Sequence, residues 1–320
     1  MSDVTLQQVR EALERIRERI QPTPVLRSDR LDQITGARLF FKCENLQKTG
    51  SFKARGALNT VFSLSEDQAS RGVATHSSGN HGAALAWAAG MRGIPATAVM
   101  PSNANPVKVA AVKGYGGTVI FCEPNHKARE ETAARFISET GAHMVHPYND
   151  VRIVAGQGTV ALEFLREMPD LDAIVTPVGG GGLLAGTAIV AKGLKPAIKV
   201  YAGEPEGAAD ASQSFNSGVR TPVSNPRSIA DGLLAFVGDI TFPEIMEHVD
   251  AIATVSEDEI ERAMKLLFEE LRVPVEPSGA VSFAAVAGGK LDVKDRNVGI
   301  IISGGNIDLE SNPWARPPAK

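Results

Sequence analysis

Residues 173–191 carry no charged side chain, a run of 19 residues with the length of a membrane-spanning helix. Pro177 and the consecutive glycines Gly179, Gly180, Gly181 and Gly182 lie inside it. Proline removes a helical hydrogen bond, and four glycines would leave backbone groups bare in lipid, so a spanning helix is excluded. The run reads instead as a buried strand, a glycine turn and a buried helix. Elements apolar on every side need a covering layer on both faces, which points to an α/β architecture.

The same alternation recurs along the chain. Apolar, β-branched runs predict strands at 38–43, 73–76, 97–100, 118–121, 143–145, 173–177, 199–202, 251–254 and 297–302. Helix-length stretches lie between them at 82–89, 106–113, 127–140, 158–167, 183–192 and 257–271, and a charged amphipathic helix spans 3–19. A chain of 320 residues predicts roughly two domains. The expected fold is α/β, two domains with mostly parallel sheets flanked by helices. A smaller domain at 71–149 is inserted into a larger one formed by 1–70 and 150–320, the joint falling at His146-Pro-Tyr-Asn-Asp150.

Lys plus Arg total 33 against 37 Asp plus Glu, with no block of like charges. A net charge of −4 is the wrong sign for neutralising phosphates, so a nucleic-acid partner is not expected. Cys43 and Cys122, far apart, provide neither a disulfide framework nor a thiolate zinc site, and suit a reducing compartment. The N-terminal residues contain no apolar signal core. A cytoplasmic protein with no membrane partner is expected.

Three segments bear on chemistry. Ser77-Ser-Gly-Asn-His-Gly82 follows one strand and opens an alanine-rich helix, and the four glycines at 179–182 follow another. Neither ends in Gly-Lys-Ser/Thr, and neither has the spacing of a dinucleotide fingerprint. One glycine pair at such a turn serves only the backbone, but four in a row cost chain entropy with nothing to pack. That favours a phosphate cradle at a helix N-terminus. The third segment is 47–56, where Lys53 falls in the first turn of a helix and opposes its dipole. A desolvated lysine there has a lowered pKa and becomes an amine nucleophile, although an ordinary solvated lysine is the commoner case and composition does not separate Lys53 from Lys42 or Lys48.

In this order, Ser51-Phe-Lys-Ala-Arg-Gly56, Ser77-Ser-Gly-Asn-His-Gly82, the glycines 179–182 and Ser303-Gly-Gly-Asn306 closely resemble the fold-type II (tryptophan-synthase-β-like) pyridoxal-phosphate enzymes. The likeness is greatest to the branch holding serine/threonine dehydratases, serine racemase and 3-hydroxyaspartate dehydratases, and runs from Thr23 to Asp308. It implies pyridoxal 5′-phosphate carried on Lys53, with Phe52 beside the ring, Asn80 at its 3′-oxygen, Gly179, Gly180, Gly181 and Gly182 at the phosphate, and Ser303 at the ring nitrogen. A hydroxyl does not keep that nitrogen protonated as a carboxylate would. The resulting weaker electron sink favours prompt loss of a β-leaving group.

By the same resemblance Ser77, Ser78, Gly79, Asn80 and His81 would hold the substrate's α-carboxylate. Lys53 would remove its α-proton, and Ser78 is either the acid/base on the opposite face or only a carboxylate ligand. The implied reaction is β-elimination of water from a small 3-hydroxy amino acid (3-hydroxyaspartate, serine or threonine), releasing a 2-keto acid and ammonia. The alternative is a serine- or aspartate-type racemase with dehydratase side activity. A homodimer is the family expectation.

Glu204-Pro-Glu-Gly-Ala-Ala-Asp210 sets two carboxylates near an intervening carbonyl, a set suited to a hard divalent cation, though acidic loops are more often simply solvated. The resemblance implies Mg²⁺ or Ca²⁺ on Glu204, the Ala208 carbonyl and Asp210. It also implies that Arg129 reaches a second substrate carboxylate, which a guanidinium grips bidentately. The alternative for Arg129 is a surface pair with a neighbouring glutamate. Ala235 stands where the racemase has a substrate-contacting serine, so the chain departs from the racemase pattern there. His76, His126, His143, His146 and His248 lack ligand spacing and read as structural.

Overall fold

The computed structural model describes residues 4–77 and 79–307. Ten strands follow in chain order: β1 (Val25–Leu26), β2 (Arg38–Cys43), β3 (Val73–Thr75), β4 (Ala96–Pro101), β5 (Thr118–Cys122), β6 (His143–Met144), β7 (Ala173–Pro177), β8 (Lys199–Pro205), β9 (Ala251–Val255) and β10 (Asn297–Ile302). They make a six-stranded sheet of order β1-β2-β10-β7-β8-β9 and a four-stranded sheet of order β5-β4-β3-β6. Every pairing is parallel except β1 with β2. The α/β class with parallel sheets flanked by helices is as the sequence implied. The four-stranded sheet takes all its strands from residues 73–144.

β10 shows why the apolar runs become central strands. It pairs with β2 on one side and β7 on the other, and Val298, Ile300, Ile301 and Ile302 are all fully buried. Helices Lys53–Ser63, Val151–Glu167 and Gly182–Leu194 stack on one another beside this sheet. Their approach is backbone to backbone, since a Cβ on Gly156 would lie 2.6 Å from the Gly56 Cα. Gly182–Leu194 is the helix foreseen in the uncharged run, and it is buried from Gly182 through Ala191. No helix among the described residues is long and apolar enough to cross a membrane.

Short helices at Asp29–Thr35, Glu66–Ser70, Asp210–Ser217 and Thr241–His248 were not foreseen, and two longer ones also depart from the sequence reading. Val151–Glu167 begins seven residues before the expected start, with Asp150 accepting from the Arg152 amide as its cap. Pro277–Ala287 was not foreseen, because Ser278 through Val286 are all buried and leave no polar face to give a helical period.

Candidate active site

The carboxyl ends of β3, β6, β7 and β10 converge on one cavity of about 710 Å³, the place where open parallel sheets bind ligands. Lys53 stands in its wall. The Lys53 Nζ donates to the Pro147 carbonyl at 2.8 Å and lies 5.0 Å from the centroid of the Phe52 ring. Burial pulls its pKa down to about 8, partly offset by the Glu276 carboxylate. The main chain fixes this lysine against β10: the Phe52 amide donates to the Ser303 carbonyl at 3.1 Å, and Ser51 bridges Gly304. Ser303, itself buried, donates its hydroxyl to the Ser278 carbonyl.

The four glycines line the same cavity as this lysine. A Cβ on Gly179 would lie 2.8 Å from the Leu233 Cα, one on Gly180 would lie 2.3 Å from the Tyr148 ring, and Gly181 has φ +87°. Side chains are thus shut out of the turn. The amides of Gly179, Gly180 and Gly181 find no backbone acceptor among the described residues, and they open the helix Gly182–Leu194. Unclaimed N–H groups at a helix N-terminus fit a phosphate. A cradle closed to side chains in one cavity with an amine of lowered pKa therefore fits pyridoxal phosphate.

Asn80 donates to Glu276 at 2.7 Å and accepts from Asn306 at 2.9 Å. Gly79 caps the helix Asn80–Arg92 without a side-chain bond, and its amide donates to the Ser77 hydroxyl at 3.4 Å. His81 donates through Nε2 to the Val145 carbonyl at 3.2 Å. Its buried Nδ1 has no partner among the described residues, and burial with the Lys53 charge holds its pKa well below the usual value, so the ring stays neutral. Ser78, named on sequence as a possible acid/base, lies outside the described residues.

Arg129 projects into the cavity from the helix His126–Thr140. Its guanidinium has no hydrogen-bond or ion-pair partner among the described residues, and its Nε is buried without an acceptor. The surface pair with a neighbouring glutamate is not formed. Ala235 lies in the cavity wall between Leu234 and Phe236.

Several lining groups escaped the sequence reading. Glu276 is buried, and burial raises its carboxyl to about 7 against the pull of Asn80, Lys108 and Lys53. Its one visible signal was an acid isolated in the apolar stretch 273–287. His76 and His146, read as structural from the sequence, both line the cavity, edge to face with centroids 5.2 Å apart, with Tyr148 edge to face on His146 at 4.6 Å. They arrive from the ends of β3 and β6, a convergence that chain spacing does not reveal. His143 lies 2.9 Å from Arg152, and His248 lies beside Glu244; the side chain of His126 is outside the described residues. Lys108, also in the wall, pairs with Asp231, and Arg220 pairs with Asp239.

Glu204 and Asp210 are both buried. Glu204 accepts from the Ala211 and Ser212 amides at 2.8 Å each, and Asp210 accepts from the Val237 amide at 3.0 Å. Burial raises them to about 8 and about 6 respectively. Ala208 ends a short turn between them. Among the described residues no three His, Cys, Asp or Glu side chains gather into a metal cluster, so a cation here would need main-chain oxygens.

The family described as "Pyridoxal-phosphate dependent enzyme" matches residues 16–304. The chain belongs to that family, in its fold-type II branch. It is 49% identical over 318 residues to a serine racemase of Dictyostelium discoideum, covering 97% of each chain. It is 47% identical over 310 residues to a beta-hydroxyaspartate dehydratase of Paracoccus denitrificans, covering 97% of this chain and 98% of the relative. Among solved structures, a threonine deaminase from T.th. superposes with a TM-score of 0.90 at 41% identity, covering 95% of this chain and 99% of that one.

The lowered pKa of Lys53 makes this pyridoxal-phosphate enzyme testable without any substrate. Carbamylation of Lys53 by cyanate in the apoprotein, followed on its peptide by mass spectrometry, should reach half its limiting rate near pH 8, where an exposed lysine would need about pH 10.4.

Proposed function

We propose that this pyridoxal-phosphate enzyme is a lyase eliminating water from a small 3-hydroxy amino acid, with 3-hydroxyaspartate the favoured substrate ahead of serine and threonine. The observation that carries the proposal is the Arg129 guanidinium, without a partner among the described residues, sharing one cavity with the low-pKa amine of Lys53. When bound, the cofactor supplies a conjugated ring that draws electrons from the substrate's α-carbon. Lys53 would carry it, with Phe52 against the ring, Asn80 at the 3′-oxygen, Ser303 at the ring nitrogen, and Gly179, Gly180, Gly181 and Gly182 at the phosphate. Lys53 would take the α-proton, the Pro147 carbonyl accepting from the resulting ammonium, and a proton returned to the β-hydroxyl would let it leave as water. Ser77, Gly79, Asn80 and His81, with Ser78, would bind the α-carboxylate at the start of their helix. Arg129 would bind the β-carboxylate.

Assays of keto-acid and ammonia release from L-serine, L-threonine and the 3-hydroxyaspartate stereoisomers test this directly. A charged hydrogen bond contributes about 1.5–3 kcal/mol. Arg129→Met should therefore lower kcat/KM for 3-hydroxyaspartate roughly 10- to 100-fold while leaving L-serine little changed. Equal losses on both substrates would assign Arg129 another role. The rival reading, an amino-acid racemase with dehydratase side activity, is supported by the serine racemases among the relatives. Accumulation of the opposite enantiomer with little ammonia would favour it.

Glu204, the Ala208 carbonyl and Asp210 would hold a divalent cation, Mg²⁺ or Ca²⁺, whose charge would offset two buried carboxylates. Millimolar Mg²⁺ or Ca²⁺ should raise the melting temperature relative to EDTA, by the equivalent of about 2.7 kcal/mol at a hundredfold excess over Kd. Glu204→Gln should abolish that rise. A homodimer, checked by light scattering, completes the proposal.

A further inference from the structure

The helix that presents Lys53 begins without an ordinary cap. Phe52 at its start makes no side-chain bond, no acidic residue occupies its first turn, and both Lys53 and Arg55 place positive charge at the positive end of the dipole. What secures this turn is the Arg55 side chain. Its guanidinium is wholly buried and uses all five donors: Nε and Nη2 on the two Glu44 oxygens at 2.8 Å, Nη1 and Nη2 on the two Glu163 oxygens at 2.8 Å, and Nη1 on the Thr159 hydroxyl at 3.2 Å. Each acceptor is anchored elsewhere. Glu44 follows β2 and also accepts from Thr23 at 2.6 Å, while Thr159 and Glu163 belong to the helix Val151–Glu167.

We propose that Arg55 is the positioning residue for Lys53: its double fork sets the rotation and depth of the helix start, and thereby where the amine stands in the cavity. Stability alone gives no reason for the arrangement, since well-packed apolar residues commonly replace buried ion pairs at no loss. Arg55 does not face the cavity, and it acts through the short stretch of main chain that joins it to Lys53 on one turn. Freed from the fork, the helix start swings Lys53 toward water and relieves the desolvation that lowers its pKa.

The inference rests on Lys53 being the reacting amine, and borohydride trapping of added pyridoxal phosphate on the Lys53 peptide checks that separately. The test is the pH profile of Lys53 carbamylation by cyanate in the full-length apoprotein, alongside thermal melting. In Arg55→Lys the midpoint should rise by about one pH unit, slowing carbamylation at pH 8 about fivefold. Glu163→Gln, which keeps the Glu44 fork, should give a smaller rise in the same direction, and it decides the matter if Arg55→Lys does not melt cooperatively. An unchanged or lower midpoint in a cooperatively melting variant, whatever its melting temperature, overturns the proposal.

Discussion

Lys53→Ala is expected to lower keto-acid release by at least roughly a thousandfold and to abolish the borohydride-stable adduct with pyridoxal phosphate. The size follows from two roles in one side chain, since the same amine would hold the cofactor and move the α-proton. Lys108 also reaches the cavity but is paired with Asp231, so it provides no substitute. Lys108→Met should keep the adduct, and loss of the adduct in that variant would mean that the wrong lysine has been named. The substitution of Lys53 also has a consequence for stability. Its folded pKa of about 8 lies below the ordinary lysine value of 10.5, so between these pH values the unfolded chain binds a proton that the folded chain does not. The penalty from Lys53 is fully present below pH 8 and fades as the pH rises toward 10.5. Lys53→Met should therefore melt higher than the parent apoprotein at about pH 7, and the gap should narrow by about pH 10.

Gly179→Val should weaken cofactor binding at least roughly tenfold, read by absorbance titration with pyridoxal phosphate. The added Cβ would meet the Leu233 Cα at 2.8 Å, and a main-chain atom has no rotamer by which to retreat. The turn must then shift, and its free amides lose their common aim. Gly114→Ala is the matching control, because nothing lies within 4 Å of a Cβ there. Equal loss in both variants would show a general fault in folding rather than a damaged cradle.

Much of this was legible in the chain before any coordinates. The uncharged run at 173–191 dictated a strand, a turn and a helix because its proline and glycines admit little else. Lys53 and the glycines stood out only as a set, in order with Asn80 and Ser303. What escaped has a common physical origin. Glu276, His76, His146 and Tyr148 reach the cavity from separate strand ends and a separate helix start, so their proximity exists only after the sheets have formed. The Pro277–Ala287 helix was hidden for another reason: burial on all sides erases the period by which a helix is read. Arg129 had two readings on sequence, and only the coordinates place it in the cavity wall, its Nε without an acceptor among the described residues.

Among the described residues no strand belongs to both sheets, and no ladder hydrogen bond joins them. Their chief seam is the packing of the Lys53–Ser63 helix on Asn80–Arg92, which is rich in alanine and glycine. Small apolar contacts slide without stranding polar groups. Such a seam lets the four-stranded sheet shift while the Arg55 fork keeps the helix that begins with Lys53 tied to Glu44 and to Val151–Glu167.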